Sequence, residues 1–83
     1  MSVQPIIVYG TNWCPDCRRA QRVLDQHGAQ YTYINIERDS AAAEFVIKVN
    51  NGNQSVPTIL FPDGSILVEP SNHELQAKLS QFV

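Results

Sequence analysis

The alternation of strand-like and helix-like segments along the whole chain is the feature that most constrains its fold. Residues 3–9 are rich in β-branched side chains, and their continuous apolar character favours a central strand covered on both faces. A helix-like segment from Pro15 to about His27 follows, and residues 31–36 alternate as a second strand would. A strand–helix–strand unit joins parallel strands through a right-handed crossover. The first half of the chain therefore predicts the beginning of an α/β sheet.

The second half of the chain predicts another helix, a hairpin and a last helix. Asp39 or Ser40 can cap the helix that comes next, in which apolar residues recur at helical spacing. The turn sequence Pro62–Ser65 separates two short antiparallel strands. Ser71 and Glu74 have the spacing of a capping box that opens the last helix. The hairpin strands are expected over 58–61 and 66–68. The inward face of the last helix is expected to carry Leu75, Leu79 and Phe82.

The predicted element order is β-α-β-α-β-β-α, with a mixed four-stranded sheet flanked by three helices. The 83 residues are enough for one thin hydrophobic core, so we expect a single domain over residues 1–83. Hydrophobic residues make up 43% of the chain and charged residues 17%, a balance that argues against disorder. With 6 Lys and Arg against 8 Asp and Glu, the chain lacks the basic excess of nucleic-acid-binding proteins.

Membrane insertion and secretion are not expected either. Apolar runs such as residues 58–61 are far too short to span a bilayer. Residues 1–5 contain neither a basic region nor a long apolar stretch, which predicts no secretory signal. We therefore expect a monomeric, cytoplasmic protein whose partners include neither nucleic acid nor a membrane.

The candidate catalytic residues lie in Trp13–Cys17, where the first predicted strand ends and the first predicted helix begins. Disulfide-stapled secreted domains normally have four or more cysteines, and a bridge between Cys14 and Cys17 would close too small a loop to stabilise the fold much. Pro15 suits the first helical position, which makes Cys14 the N-cap. Amide groups of the first turn and the helix dipole then lower the pKa of the Cys14 thiol. Pro15 removes one donor, but it fixes the turn and holds Cys14 exposed.

Charged neighbours are expected to modulate the pKa of Cys14. Arg18 and Arg19 add positive charge close by. Asp16 raises the pKa of Cys14 if its carboxylate turns toward the sulfur; alternatively it suits the helix dipole and points to water. Either way we expect a less acidic Cys14 than beside a neutral residue. Cys17 lies one helical turn along and close enough to form a redox-active disulfide with Cys14. Cys14 would attack a substrate disulfide, and Cys17 would resolve the mixed disulfide.

Three other uses of the two cysteines stay open. Structural zinc would need more ligands, for which His27 and His73 are the candidates, but their spacing is not that of a zinc finger. The cysteines can instead be inert and buried. An iron–sulfur cluster bridging two subunits would use Cys14 and an external thiol, because two cysteines cannot hold a cluster alone. Visible absorbance after anaerobic preparation with iron, sulfide and thiol would reveal such a carrier dimer. No metal ion bound by one chain is expected.

A second motif, Ser55–Thr58, stands immediately before the third strand, where a proline is permitted. Together with the Trp-Cys-Pro-Asp-Cys motif and the capped last helix, this motif makes the chain resemble the glutaredoxins of the thioredoxin superfamily over essentially its whole length. Residues 39–46, 50–53, 63–65 and 69–71 further resemble the mycoredoxins, the actinobacterial glutaredoxin-like reductases. The resemblance implies a minimal thioredoxin-type fold in which Pro57 is cis and faces the cysteines, leaving the Val56 backbone to pair with an extended substrate thiol. Trp13 is either a partly exposed lid beside the sulfur or core filling. Trp13 and Pro15 complete the candidate thiol-binding residues around the motif.

The resemblance also implies a dithiol oxidoreductase that reduces mixed disulfides between proteins and a small thiol. It implies no tightly bound cofactor, and NADPH would supply electrons through a separate reductase. Glutathione-using glutaredoxins usually show a Gly-Gly step and an acidic pair entering the last helix, which this chain lacks. Glu69 adds negative charge where a glutathione carboxylate would approach, although the Ser71 and Asn72 N–H groups offer an anion site. Mycothiol is therefore expected before glutathione. A redoxin that serves ribonucleotide reductase and is recharged by thioredoxin reductase is a further alternative. It ranks lower, because this chain lacks the Trp-Ser-Gly-Phe stretch typical of that group.

Overall fold

Seven elements make up the structure, a computed structural model that describes residues 5–82. They are β1 (Ile6–Gly10), α1 (Pro15–Gln26), β2 (Tyr31–Asn35), α2 (Ser40–Val49), β3 (Thr58–Leu60), β4 (Ile66–Val68) and α3 (Asn72–Leu79). The strand order in the sheet is β2-β1-β3-β4. β1 runs parallel to β2 and antiparallel to β3, and β3 pairs antiparallel with β4. The predicted element order and the mixed four-stranded sheet are confirmed.

Some predicted strand boundaries are shifted by one residue. β1 extends one residue further than predicted because Gly10 is still paired with β2. β3 ends one residue earlier, where the Phe61 N–H donates to the Ser65 carbonyl at 2.9 Å across the hairpin turn. Pro5, predicted inside the first strand, precedes β1, and the predicted start at residues 3 and 4 lies outside the described residues.

The sheet separates two hydrophobic clusters. α1 and α3 contribute to the first cluster, which contains Ile6, Val8, Ala20, Val23, Leu24, Ile59, Phe61, Leu75 and Leu79. α2 contributes to the second, which contains Tyr9, Ile36, Ala42 and Val46. β1 supplies residues to both clusters, as its continuous apolar sequence predicts for a central strand. Over residues 5–82, no helix combines the length and the apolar character that crossing a bilayer requires.

Phe82 does not take the inward position predicted for it. α3 ends at Leu79, so the helical spacing that carries Leu75 and Leu79 into the core stops before Phe82. The Phe82 side chain is 41% exposed and stacks on Phe61, with ring centroids 5.8 Å apart. The ammonium group of Lys78 lies 5.5 Å from the centroid of each of these rings. Phe82 therefore covers the edge of the core from outside.

Asp39, and not Ser40, caps α2. The Asp39 carboxylate accepts a hydrogen bond from the Ala42 N–H at 3.0 Å, and Ser40 is the first helical residue. We expect Asp39→Ala to lower the free energy of unfolding by about 1 kcal/mol, and the melting temperature by about 4–8 °C in a domain of this size. Ser40→Ala is the matched control and should change stability by less than about 0.5 kcal/mol. Thermal and urea unfolding measure both variants, and equal losses would contradict the assignment of the cap.

Candidate active site

Cys14 and Cys17 lie at the start of α1, directly after the loop that leaves the central strand. Cys14 is the N-cap residue with extended backbone angles, and Pro15 occupies the first helical turn. The Cys17 N–H donates to the Cys14 sulfur at 3.1 Å. The predicted capping of the helix by Cys14 is confirmed, and the donor is the amide of the second cysteine itself. This contact holds the Cys14 sulfur over the first turn of the helix.

The prediction that Cys14 is exposed is wrong. The residue is 5% exposed, because its sulfur is turned back over the first helical turn and toward the segment that precedes β3. The Cys14 thiol donates to the Val56 carbonyl across a sulfur–oxygen distance of 3.9 Å. Trp13 is the exposed neighbour, at 64%, which excludes core filling for its side chain. Trp13 therefore forms the surface of the motif, and Cys14 lies beneath it.

Cys17 is fully buried, and its environment differs sharply from that of Cys14. Burial raises the pKa of the Cys17 thiol to about 11, and a hydrogen bond with Cys14 adds to the rise. A hydrogen bond from the Thr11 backbone and one from the Tyr33 side chain act in the opposite direction. At neutral pH Cys17 is therefore a protonated thiol. Both cysteines are free thiols in this structure.

Tyr33 belongs to this site, although the alternating pattern of residues 31–36 predicted only a strand there. Its hydroxyl donates to the Thr11 carbonyl at 2.6 Å, and it lies beside the Cys17 thiol, whose pKa it lowers. The available signal was Gly10 at the end of β1. A Cβ atom on Gly10 would collide with the Tyr33 hydroxyl and would stand 2.8 Å from the Cys17 sulfur. A glycine inside a strand often marks such a close approach.

The charged residues of the motif point along the surface of α1. The Arg18 guanidinium donates to the Asn12 carbonyl at 2.9 Å and ties the helix to the preceding loop. The Asp16 carboxylate lies 3.3 Å from the Arg19 guanidinium, and its side chain is 54% exposed. Of the two orientations considered for Asp16, the structure shows the outward one. The Arg19 guanidinium donates to the Asp16 carboxylate at 3.3 Å and to the Asn72 side-chain oxygen at 3.2 Å. Its hydrogen bonds are therefore made to these two residues and not to Cys14.

The segment before β3 lies against the cysteines as the resemblance implies. The Val56–Pro57 peptide bond is cis, and the Pro57 ring is buried. The Val56 carbonyl faces the Cys14 thiol, and the Pro57 carbonyl accepts the Glu69 N–H at 2.9 Å. This segment is therefore held between the redox motif on one side and the end of β4 on the other.

The anion site predicted at the Ser71 and Asn72 N–H groups is already occupied at Ser71, and its Asn72 half stays a prediction. The Ser71 N–H donates to the Glu74 carboxylate at 2.9 Å, and the Ser71 hydroxyl accepts the Glu74 N–H at 3.1 Å. The capping box that the sequence predicts thus occupies the donor that an incoming anion would need. Asn72 contacts the site indirectly, through Arg19 to Asp16. Among residues 5–82, no three His, Cys, Asp or Glu side chains come together in a metal-binding group.

Comparison with known proteins gives consistent matches along most of the chain. The family model of glutaredoxins matches residues 6–66. A protein of Mycobacterium tuberculosis, provisionally named a glutaredoxin, is 44% identical over 79 residues, which cover 95% of this chain and 94% of that protein. Mycoredoxin 1 of Corynebacterium glutamicum is 39% identical over 74 residues, which cover 89% of this chain and 91% of the relative.

Solved structures show the same architecture. A single-residue variant of the thioredoxin-like protein BC3987 superposes with a TM-score of 0.80 at 24% identity, covering 94% of this chain and 97% of that one. A glutaredoxin of Archaeoglobus fulgidus superposes with a TM-score of 0.65 at 24% identity, covering 92% of this chain and 82% of the other. The predicted thioredoxin-type fold is confirmed. Because the family model covers most of the sequence and relatives above one-third identity span nearly all of it, the chain belongs to the glutaredoxin family of thiol–disulfide oxidoreductases.

Proposed function

We propose that this protein reduces mixed disulfides between proteins and a small thiol, with Cys14 as the nucleophile and Cys17 as the resolving thiol. The observation that carries the proposal is the asymmetry between two sulfurs within one helical turn. Cys14 accepts a hydrogen bond from the helix backbone, whereas Cys17 is fully buried and has a raised pKa. The first sulfur is thereby prepared to attack, and the second is held as a thiol until a mixed disulfide forms beside it.

The reaction begins when the Cys14 thiolate attacks the small-thiol sulfur of a thiolated protein. A bond forms between the Cys14 sulfur and the small-thiol sulfur, the disulfide bond between that sulfur and the protein's sulfur breaks, and the protein leaves as a thiolate that takes up a proton. The enzyme now carries the small thiol on Cys14. A second molecule of free thiol then releases Cys14, or Cys17 attacks Cys14 and closes the intramolecular disulfide. NADPH returns the electrons through a separate reductase, which suits a reducing compartment such as the cytoplasm.

Four residues around Cys14 are proposed to receive the substrate: Trp13, Pro15, Val56 and Pro57. An extended thiol-bearing segment would pair with the Val56 backbone, which now contacts the Cys14 thiol itself. Substrate binding therefore displaces this weak contact and replaces it with main-chain hydrogen bonds. The exposed Trp13 side chain would cover the apolar part of the bound group. Pro15 keeps the first turn in place without adding a donor of its own.

The choice of small thiol follows from negative charge near the end of β4. Glu69 is exposed, and its backbone is bonded to Pro57, next to the Val56 carbonyl that contacts Cys14. The Glu74 carboxylate occupies the Ser71 N–H at the start of α3. We infer that these two carboxylates disfavour a carboxylate-bearing small thiol at this end of the site. Mycothiol carries a sugar conjugate in that place, and the similarity to mycoredoxin 1 points the same way. We therefore place mycothiol first and glutathione second.

Glu69→Gln should improve the use of glutathione. Removal of one exposed like charge is expected to raise kcat/KM for glutathione by about two- to fivefold at low salt, and the gain should shrink as salt is added. Glu44→Gln on α2, which packs on the opposite face of the sheet, is the matched control and should change nothing. Kinetics of mixed-disulfide reduction with each thiol measure the effect. A gain that is equal for the two variants, or independent of salt, would contradict the role of Glu69.

One comparison of recharging systems tests the proposed function. Oxidised protein is offered mycothiol, glutathione and thioredoxin reductase in parallel, each with its own NADPH-dependent system, and the return of the Cys14 thiol is followed. We expect mycothiol to act fastest. Recharging by thioredoxin reductase alone would instead place the protein among the redoxins that such a reductase serves. Absence of recharging in all three systems would overturn the proposal, and sedimentation of the same samples tests the expected monomer.

A further inference from the structure

We propose that Tyr33 is a positioning residue for Cys17, and that its hydroxyl holds the resolving sulfur and stabilises the Cys17 thiolate as it attacks Cys14. The inference rests on the resolving role proposed above and adds a residue from a different element. Tyr33 lies in β2, whereas both cysteines belong to the start of α1. A hydrogen bond from Tyr33 would explain how the fully buried Cys17 thiol becomes reactive.

Strand pairing brings the Tyr33 hydroxyl to the cysteines. Tyr33 is opposite Val8 in the parallel pair of β1 and β2, and its ring extends past the end of β1. Gly10 provides the space, since a Cβ atom there would strike the Tyr33 hydroxyl and approach the Cys17 sulfur to 2.8 Å. The hydrogen bond of 2.6 Å to the Thr11 carbonyl then fixes the position of the phenol oxygen.

A tyrosine hydroxyl suits this task because it has one donor and two acceptor lone pairs. While Cys17 is a thiol, the hydroxyl donates to Thr11, and its oxygen can accept the Cys17 S–H. When Cys17 loses its proton, the O–H can rotate and donate to the sulfur instead. The groups that face this pair are Cys14 and Arg18 from α1. Burial and the two cysteines raise the pKa of Tyr33, while Arg18 lowers it, so the phenol stays protonated and acts as a donor.

The step that Tyr33 assists is the closure of the internal disulfide. The Cys17 thiolate attacks the Cys14 sulfur, the bond between Cys14 and the small thiol breaks, and the small thiol leaves with the electron pair. The two cysteines are oxidised to one disulfide, and the departing group is reduced to a thiol. The proton lost by Cys17 passes to solvent or to the departing group. Tyr33 keeps its own proton throughout and only changes its hydrogen-bond partner.

Ellman's reagent, an aromatic disulfide, separates this step from the first attack. Cys14 displaces one yellow thionitrobenzoate, and Cys17 displaces the second as the internal disulfide closes, so stopped-flow absorbance shows two phases. We expect Tyr33→Phe to slow the second phase by about three- to tenfold. The estimate combines the loss of one hydrogen bond to an ion with the partly compensating nucleophilicity of a more basic sulfur. The pH profile of the second phase should move to higher pH.

Tyr31→Phe is the matched control, because it removes an equivalent hydroxyl from the same strand, where Tyr31 donates to the Asp25 carboxylate. It should leave both phases unchanged. An unchanged second phase in folded Tyr33→Phe would overturn the inference. Failure of the first phase in the native protein would instead count against Cys14 as nucleophile, so the two proposals fail separately.

Discussion

Cys14→Ser should lower turnover of a thiolated protein substrate by about a thousandfold or more, because serine supplies no thiolate at neutral pH. The loss should appear in kcat/KM with every small thiol, since each pathway begins with the same attack. The overall fold should be retained, because a serine hydroxyl is itself a favoured N-cap and can accept the Cys17 N–H. A coupled NADPH assay, with circular dichroism as the check on folding, measures this result.

Cys17→Ser is the partner variant and should behave differently. It cannot close the internal disulfide, so it should accumulate the thiolated Cys14 species, which mass spectrometry detects. Free thiol can still release Cys14, and turnover should therefore persist at a reduced rate. Turnover retained in Cys14→Ser, or a complete loss in both variants, would contradict the assignment of nucleophile and resolver.

Closure of the internal disulfide should accelerate steeply with pH, which is the second large effect we expect. Burial is the largest cause that raises the pKa of Cys17, to about 11 in the free dithiol, and Cys14 adds to the rise. Once Cys14 carries a bound thiol its contribution is lost and the effect of burial is expected to remain, so closure should be at least about tenfold faster at pH 9 than at pH 7. The second phase of the Ellman reaction reports this rate directly.

The control for this pH dependence is Cys17→Ser, in which the second phase should vanish at every pH. The closure rate should rise with pH because a thiol with a raised pKa keeps its proton up to a higher pH, and only the deprotonated form attacks. A closure rate that is flat between pH 7 and pH 9 would show that Cys17 ionises far more easily than its burial indicates.

Most of the fold could be predicted because local signals and the global topology agree. The continuous apolar run around Val8, the proline at the start of α1 and the Ser71–Glu74 capping box each indicate one element, and the right-handed crossover rule orders the first two strands. The position of Phe82 could not be predicted in the same way. Helical spacing gives the inward direction only while the helix continues, and the sequence does not show that α3 stops at Leu79.

The active site could be predicted only in part. Spacing locates Cys14 and Cys17 on one helical turn, and the N-cap position follows from Pro15. The burial of Cys14 depends on the Val56 carbonyl, which is distant in the sequence and comes near only through the tertiary fold. The hydrogen bond of Tyr33 likewise depends on strand register. The donor at Ser71 was predicted twice, as a cap and as an anion site, and one N–H cannot serve both.

The cap of α1 is a sulfur whose charge changes during the reaction, and this couples helix stability to oxidation state. An ionised sulfur accepts the Cys17 amide hydrogen bond strongly, and a sulfur shared in a disulfide accepts it weakly. By thermodynamic reciprocity, any contact of the first turn that is stronger when this cap is strong also favours the reduced protein. Arg18 on the Asn12 carbonyl and Arg19 on Asp16 hold the first turn at its surface. A substitution there that affects the turn unequally in the two oxidation states would shift the reduction potential of the cysteine pair without touching either sulfur.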